Sequence, residues 1–217
     1  MDYAEARRHM VNSQVRTNDV TDLRLQTVLE ATPRERFLPP GLRNQAYAER
    51  DIPAARGRVT LRAGDSARLV PAPGLTPADL VLDAACGSGY STAVLAGLAE
   101  MVVGVEGDET LAAAAQQNLS DIGVDNAAVV VADPAKGVPA QGPFDVIFLG
   151  GGVAVEPEAL LTQLKPGGRL VAIRRENGVS RGVVWRRHGD AFAARALFDA
   201  GSAAVLPEFE APKSFRF

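Results

Sequence analysis

Residues 79–106 constrain the fold of this chain more than any other part of the sequence. Residues 80–82 form a short apolar run, residues 83–89 are small and glycine-rich, and residues 91–99 have helical spacing. This order is typical of a buried strand, a tight turn and a helix. A second apolar run follows and ends on an acid, Glu106. The stretch therefore predicts half of a nucleotide-binding βαβ unit.

The turn contains Gly87 and Gly89, which lack a Cβ atom and so let the backbone approach a ligand closely. The first turn of the following helix offers unpaired N–H groups to polar atoms. Glu106 lies 19 residues after Gly87, at the end of the neighbouring predicted strand. From there a carboxylate can accept hydrogen bonds from both hydroxyls of a ribose. These features predict a ligand that carries adenosine.

The spacing within the turn separates two kinds of adenosine ligand. A dinucleotide fingerprint that begins at Gly87 requires a third glycine at position 92, where this chain has Thr92. Residues 83–90 instead resemble the Asp/Glu-x-Gly-x-Gly-x-Gly turn of class I S-adenosylmethionine-dependent methyltransferases. Ala85 replaces the first glycine of that turn. We expect its methyl group to exclude a positive φ and to narrow the approach to the cofactor.

The remaining pattern is that of an α/β fold with an N-terminal helical extension. Helical spacing occurs at residues 2–16 and 22–31, and residues 47–72 predict a loop or lid with one short helix. The predicted elements that follow are strand 80–84, helix 91–99, strand 102–106, helix 109–122, strand 127–132, strand 144–149, helix 157–164, strand 169–174, antiparallel strands 182–187 and 191–198, and a C-terminal strap from residue 206 to residue 217. Right-handed crossovers would make this a doubly wound, mostly parallel, seven-stranded Rossmann-like sheet.

We expect one compact unit with two parts. Residues 1–72 would supply the N-terminal helices and a substrate or lid segment, and residues 73–217 the core with its C-terminal edge strands. Residues 1–62 contain 11 Arg and no Lys and are near +3, although the chain has a net charge of −3. This basic segment is interpreted either as a solvated surface or as a region that captures an anionic substrate such as a carboxylate.

Composition also narrows the partners and the compartment. The net charge of −3 gives no general attraction to nucleic acid or to anionic membranes, and no run of 18 apolar residues occurs. Cys86 is the only cysteine, so no intrachain disulfide can form. His9 and His188 lack ligand-like spacing, so no metal site is predicted. We expect a cytoplasmic monomer or homodimer without nucleic-acid or membrane partners.

Several segments carry the motifs of one enzyme family. They are residues 8–16 (RHMVNSQVR), 32–39 (TPRERFLP), 46–49 (AYAE), 87–90 (GSGY), 93–96 (AVLA) and 163–170 (QLKPGGRL). With these motifs the chain resembles the protein-L-isoaspartate O-methyltransferase family over nearly its whole length. The second half alone is generic to class I methyltransferases, and the N-terminal motifs make the resemblance specific. The resemblance implies S-adenosyl-L-methionine as the cofactor and methylation of isoaspartyl carboxylates in damaged proteins.

The resemblance also implies a cofactor site. Its residues would be Asp83, Ala85, Gly87, Ser88, Gly89, Tyr90, Glu106, Gly107, Asp133 and Pro134. The glycine turn would hold the methionine portion and the ribose, Glu106 the ribose, and Asp133 the adenine amino group. Pro134 stands where the family usually has glycine, and it removes one backbone donor from that turn.

The substrate segment departs from the family. The family has a Thr-Ile-Ser-Gln-Pro run whose Ser grips the isoaspartyl carboxylate, whereas residues 59–63 read Val-Thr-Leu-Arg-Ala. Leu61 stands at the Ser position and has no hydrogen-bonding group, so the adjacent Thr60 is the candidate catalytic hydroxyl. Arg58 and Arg62 are either substrate residues that hold a carboxylate by a bidentate pair, or solvated surface residues.

Methyl transfer from a sulfonium to a carboxylate needs no general base, because the carboxylate is already ionised at pH 7. An enzyme then contributes alignment, desolvation and cofactor binding. Three hypotheses follow. The acceptor is an isoaspartyl protein or peptide; or it is another group, including a small molecule, as Leu61 suggests; or the chain binds the cofactor without catalysis, as Ala85, Pro134 and Leu61 together suggest.

Overall fold

The structure, a computed structural model, describes residues 2–71, 74–201 and 204–212. Its strands are β1 (Ile52–Pro53), β2 (Val59–Thr60), β3 (Leu80–Ala84), β4 (Met101–Glu106), β5 (Ala127–Val131), β6 (Phe144–Val153), β7 (Leu164–Glu176), β8 (Val179–His188) and β9 (Ala191–Asp199). Its α-helices are α1 (Tyr3–Met10), α2 (Leu23–Ala31), α3 (Ala63–Leu69), α4 (Tyr90–Ala96), α5 (Glu109–Asp121) and α6 (Glu158–Leu161).

Seven strands form one sheet in the order β5-β4-β3-β6-β7-β8-β9, and β1 and β2 form a separate antiparallel ribbon. The first five strands in this order, β5, β4, β3, β6 and β7, are parallel to one another. The last two, β8 and β9, continue the sheet in antiparallel pairing. The chain order reverses at β3, which lies between β4 and β6, and ligands of such sheets bind beyond the carboxyl ends of the strands at this point. The predicted doubly wound, mostly parallel, seven-stranded α/β fold with an N-terminal helical extension is confirmed.

The hydrophobic core lies on both faces of the sheet, because successive strand side chains point to opposite sides. On one face Val81 and Val146 pack in a cluster that includes Met10 and Leu25 from the N-terminal helices. On the other face Leu82 packs in a second cluster with side chains of β6, β7 and β8. The N-terminal helices thus share a core with the sheet.

Aspartates begin three of the helices, because their carboxylates accept hydrogen bonds from otherwise unpaired N–H groups. Asp2 caps α1, Asp22 caps α2 and Asp108 caps α5.

The first predicted helix extends to residue 16, but in the structure α1 ends at Met10 and the chain continues as a π-helical turn, Val11–Val15. Gln14 in this turn is buried and donates to the carbonyl of Tyr47 at 2.8 Å. None of the described helices is both long and apolar enough to cross a membrane.

The largest departure from prediction follows β6. The helix expected at residues 157–164 is only the four-residue α6, and β7 begins at Leu164, because Leu164 pairs with Phe144 of β6. Gly167 and Gly168, which lie between the predicted helix 157–164 and the predicted strand 169–174, therefore fall inside β7, next to a register shift. The segment expected to be a loop or lid contains the β1–β2 ribbon and α3. Of the predicted C-terminal strap, residues 206–212 are described and residues 213–217 lie outside the described part.

Candidate active site

The turn between β3 and α4 contains three residues with positive φ: Ala85 at 62°, Gly87 at 57° and Gly89 at 90°. The expectation that the methyl group of Ala85 excludes a positive φ is wrong. A left-handed conformation costs a non-glycine residue about 1–2 kcal/mol, and the strand and helix on either side of the turn impose it here. A Cβ added at Gly87 would meet no atom within 4 Å, whereas one at Gly89 would lie 3.3 Å from Ala115. The open side of the turn is therefore at Gly87.

Asp83 is fully buried and fastens this turn to α4. Its Oδ2 accepts hydrogen bonds from the hydroxyls of Ser91 and Thr92, both at 2.7 Å. Its Oδ1 is buried and accepts no hydrogen bond from the described residues. Burial raises the pKa of Asp83 to about 7, the hydrogen bonds from Thr92 and Ser91 lower it, and the charge of Glu106 raises it further. Asp83 is therefore a buried carboxyl that titrates near neutral pH.

Glu106 ends β4 and is fully buried beside the glycine turn. Its Oε2 accepts a hydrogen bond from the N–H of Gly87 at 3.1 Å, and its Oε1 accepts one from the N–H of Asp108 at 3.0 Å. Arg58 Nη1 lies 2.5 Å from Oε2 of Glu106, and the carboxylate of Glu208 contacts the same guanidinium. The carboxylate predicted to hold a ribose is thus joined to a buried arginine from the segment that precedes the sheet.

A cavity of about 340 Å³ lies against the open side of the turn. Its lining residues come from the segment after α2, from the β1–β2 ribbon, from the glycine turn, from α3, α4 and α5, and from β6 and the C-terminal segment. They are Arg34, Arg36, Phe37, Leu38, Pro39, Arg43, Pro53, Ala54, Ala55, Arg58, Val59, Thr60, Leu61, Ser66, Ala85, Cys86, Gly87, Ser88, Tyr90, Ser91, Leu111, Ala114, Asn118, Phe148, Gly150 and Leu206. Within the described part of the chain, this lining contains four arginines and no Asp, Glu or Lys.

Four of the ten predicted cofactor residues line the cavity. Ala85, Gly87, Ser88 and Tyr90 line it, while Asp83, Gly89 and Glu106 adjoin the same turn. Three predicted residues, Gly107, Asp133 and Pro134, are not among the lining residues. They lie together at the ends of β4 and β5, since a Cβ added at Gly107 would be 3.3 Å from Pro134. The carboxylate of Asp133 is exposed and lies 3.2 Å from Lys136 Nζ.

The predicted substrate residues fall into two groups. Arg58, Thr60 and Leu61 line the cavity. Arg62 is not among the lining residues. Its Nε and Nη2 donate to the two carboxylate oxygens of Asp65, at 2.8 and 3.1 Å. A bidentate pair of this kind satisfies the fork of the guanidinium within the protein itself.

Sequence reasoning missed several lining residues. Arg34 lies inside the TPRERFLP motif, and Arg36 and Arg43 belong to the basic N-terminal segment. The motif and the clustered positive charge are the sequence signals that point to these residues. Ser66 and Asn118 come from helices α3 and α5 and have no motif that marks them. Asn118 Nδ2 donates to the carbonyl of Ser88 at 3.0 Å, so α5 supports the glycine turn directly.

Comparison with known proteins gives one consistent result. The family profile described as protein-L-isoaspartate(D-aspartate) O-methyltransferase matches residues 5–193. A protein-L-isoaspartate O-methyltransferase of Koribacter versatilis is 35% identical over 169 residues, which cover 78% of this chain and 76% of the relative. Protein-L-isoaspartate O-methyltransferase 2 of Marinobacter nauticus is 38% identical over 170 residues, or 78% of each chain.

Two solved structures share the fold. One is a protein-L-isoaspartate O-methyltransferase with a TM-score of 0.75 and 23% identity; the match covers 89% of this chain but only 64% of that one. The other is a Plasmodium falciparum protein described as a protein-L-isoaspartate O-methyltransferase, in complex with S-adenosyl-L-homocysteine. Its TM-score is 0.76 at 17% identity, over 92% of this chain and 98% of that one.

Proposed function

The chain belongs to the protein-L-isoaspartate(D-aspartate) O-methyltransferase family, and we propose on this basis that it methylates isoaspartyl carboxylates in damaged proteins or peptides, with S-adenosyl-L-methionine as the methyl donor. One observation supports this function above the others. The N–H of Gly87 and the buried carboxylate of Glu106 meet at 3.1 Å beside a cavity that contains arginines and no acids. A nucleoside site and an anion site are thereby adjacent.

The residues of the glycine turn fit the cofactor. The space beside Gly87 admits a ligand next to the backbone, and Tyr90 Oη and Asp83 Oδ1 are buried polar atoms without partners among the described residues. We assign the methionine portion to Asp83, Ala85, Gly87, Ser88, Gly89 and Tyr90. Glu106 would bind the ribose, and Gly107, Asp133 and Pro134 would form the adenine end. Ribose binding then requires Arg58 to release or share Oε2 of Glu106.

When bound, the cofactor supplies an electrophilic methyl group on a positively charged sulfur. The protein's own residues align the acceptor and exclude water, and they need not remove a proton because the acceptor is already a carboxylate. Phe37, Leu61 and Phe148 give the cavity an apolar wall, which strengthens electrostatic interactions within it. The arginines supply the positive charge that attracts the acceptor. Thr60 is the hydroxyl closest in sequence to the missing Ser and lines the same cavity.

The test compares two peptides of one sequence, with L-isoaspartate or L-aspartate at a single position. The wild-type protein should form a base-labile methyl ester on the isoaspartyl peptide and essentially none on the aspartyl peptide. A protein that binds S-adenosyl-L-homocysteine in a calorimeter but esterifies neither peptide would contradict the proposed acceptor. A sample that binds no cofactor would contradict the transferase itself.

A second acceptor class is favoured by one observation. Leu61 stands at the Ser position of the family and its side chain is 4% exposed, so this position offers no hydroxyl to an acceptor. A small-molecule carboxylate that does not need this hydroxyl is the alternative substrate. Release of S-adenosylhomocysteine with a panel of small carboxylic acids, but not with the isoaspartyl peptide, would favour it.

The domain organisation and the assembly belong to the same proposal. We propose one compact unit in which residues 1–72 carry the helices and the substrate segment and residues 73–217 carry the core, a view supported by the cluster that joins Met10 and Leu25 to Val81. We further propose a cytoplasmic monomer or homodimer, in keeping with the single cysteine, Cys86, which is unpaired and buried. Sedimentation at micromolar concentration measures the oligomeric state, and a tetramer or larger species would contradict it.

A further inference from the structure

We propose that Arg34 binds the carboxylate of the acceptor and thereby sets the specificity of the site for anionic acceptors. This role rests on the proposed transferase function and supplies the charged donor that position 61 lacks.

Arg34 is a buried cation without a carboxylate partner. Its side chain is 1% exposed, yet it lines the cavity. Within residues 2–71, 74–201 and 204–212 it forms no salt bridge, and its Nε is buried without an acceptor. The charges of Asp51 and Arg34 interact electrostatically, but the two side chains form no salt bridge. Oδ1 of Asp51 instead accepts a hydrogen bond from the backbone N–H of Arg62 at 2.9 Å. A buried charge without a counter-ion is costly, which favours a site where the ligand brings the opposite charge.

The guanidinium is held in a fixed position by two other cavity residues. Arg34 Nη2 donates to the carbonyl oxygen of Leu61 at 2.6 Å, and the guanidinium carbon lies 4.8 Å from the ring centroid of Tyr90. The Tyr90 ring is itself in edge contact with Phe37, at 5.6 Å between centroids. A planar, preorganised guanidinium of this kind loses little freedom when it binds a carboxylate. Arg34 is therefore anchored at position 61, where the family places its serine.

The surroundings of Arg34 strengthen its attraction for an anion. Arg58 is neutralised by Glu106 and Glu208. Arg36 and Arg43 also line the cavity, and in the described part of the chain neither forms a salt bridge. Both are exposed, so we expect them to steer an anion to the cavity and Arg34 to bind it.

The charge changes of the reaction agree with this role. One acceptor oxygen stays on the guanidinium while the other forms a bond to the methyl carbon, and the carbon–sulfur bond breaks with its electron pair remaining on sulfur. No proton moves, the sulfonium loses its positive charge, and the carboxylate becomes a neutral ester. Arg34 then holds the neutral ester less strongly than the carboxylate, which promotes product release.

The experiment pairs a change in the ligand with a change in the protein. Binding of the isoaspartyl peptide, and of the same peptide with isoasparagine at that position, is measured by calorimetry for the wild-type protein and for Arg34→Gln, Arg34→Lys and Arg181→Gln. The wild-type protein should prefer the carboxylate peptide, and Arg34→Gln should weaken its binding about 10- to 100-fold and abolish the preference. Arg34→Lys should be intermediate. Arg181→Gln is the control, because Arg181 is exposed, pairs with Asp199 and does not line the cavity; it should change binding by less than about threefold.

Two results would overturn the proposal. In one, Arg34→Gln keeps the wild-type preference for the carboxylate peptide, which would leave Thr60 or Ser66 as the donor. In the other, Arg34→Gln weakens the binding of S-adenosyl-L-homocysteine and leaves the binding of the peptide unchanged, which would mean that the guanidinium binds the cofactor. If Arg34→Gln does not fold, the Nε–H resonance of Arg34 in the wild-type protein is followed instead. It should shift with the isoaspartyl peptide and not with the isoasparagine peptide, and an unchanged resonance would refute the role.

These outcomes can be distinguished from a failure of the proposed transferase function. In that case the wild-type protein forms no methyl ester, whereas the binding and resonance measurements still report whether Arg34 recognises a carboxylate.

Discussion

Arg58 Nη1 lies 2.5 Å from Oε2 of Glu106, and both side chains are buried. The same guanidinium contacts Glu208 from the C-terminal segment. Because Oε2 of Glu106 also accepts the N–H of Gly87, this cluster ties the β1–β2 region and the C-terminal segment to the glycine turn. A substitution in the cluster should therefore affect both the stability of the fold and the ligand site.

Arg58→Met should destabilise the ligand-free protein by about 3–5 kcal/mol, because it leaves the buried carboxylate of Glu106 and the partly buried carboxylate of Glu208 without their cation. Urea unfolding measures the change in free energy. The matched control is Arg181→Met, which removes an exposed pair with Asp199 at 3.2 Å and should cost less than about 1 kcal/mol. Equal effects of the two variants would show that Arg58 and Glu106 are not a tightly coupled pair.

Glu106→Gln should weaken the binding of S-adenosyl-L-homocysteine about tenfold or more, because the hydrogen bonds that a carboxylate accepts from ribose hydroxyls are charge-assisted. Glu208→Gln is the control, because Glu208 is the other acid on Arg58 and has no assigned ligand contact. We expect it to change the affinity by less than about threefold. Calorimetry on both variants is the measurement, and an equal loss for Glu208→Gln would mean that the affinity depends on Arg58 and not on the ribose contact.

Asp83 should make stability fall as the pH rises. Its pKa is about 7 in the folded protein, against an ordinary value of 3.8, so between these values the folded state binds more protons than the unfolded state. The stabilising contribution of Asp83 to the free energy of unfolding is fully present below about pH 4 and is lost as the pH rises through about 7. Each unit of difference between the folded and unfolded pKa corresponds to about 1.4 kcal/mol, so the free energy of unfolding should change by a few kcal/mol across this pH range. Urea unfolding of the wild-type protein and Asp83→Asn at several pH values should give curves that diverge, and parallel curves would contradict the shift.

Gly89→Ala should destabilise the protein by about 1–3 kcal/mol, because its φ is 90° and the new Cβ would lie 3.3 Å from Ala115. Ala85→Gly is the reciprocal change and should stabilise the protein by up to about 1 kcal/mol, since it relieves a left-handed alanine. Thermal unfolding of both variants is the check. A destabilised Ala85→Gly would show that the methyl group packs well enough to offset the strain.

The sequence predicted those parts of the fold that depend on local signals. The boundaries of β3 were predicted as the structure has them, because the apolar run and the glycine turn are adjacent in the chain. The position of Glu106 beside Gly87 followed from spacing along two consecutive strands. The reach of β7 could not be predicted, because it depends on the pairing of Leu164 with Phe144 on another strand.

The site was less predictable, since it depends on contacts between distant parts of the chain. Arg58 meets Glu208 across 150 positions of sequence, and no local pattern indicates that pair. Arg34 was visible in its motif, but its buried position beneath Leu61 is a result of tertiary packing. For Ala85, the intrinsic preference against a positive φ was overridden by the geometry of the turn. A backbone preference of one residue is weaker than the strand and helix that flank it.

The walls of the cavity extend along the sequence from Arg34 to Leu206. A nascent chain therefore cannot complete this pocket until residue 206 has left the ribosome. A ligand that enters the pocket stabilises only molecules in which these distant segments have met, so binding favours the folded chain over partly folded forms.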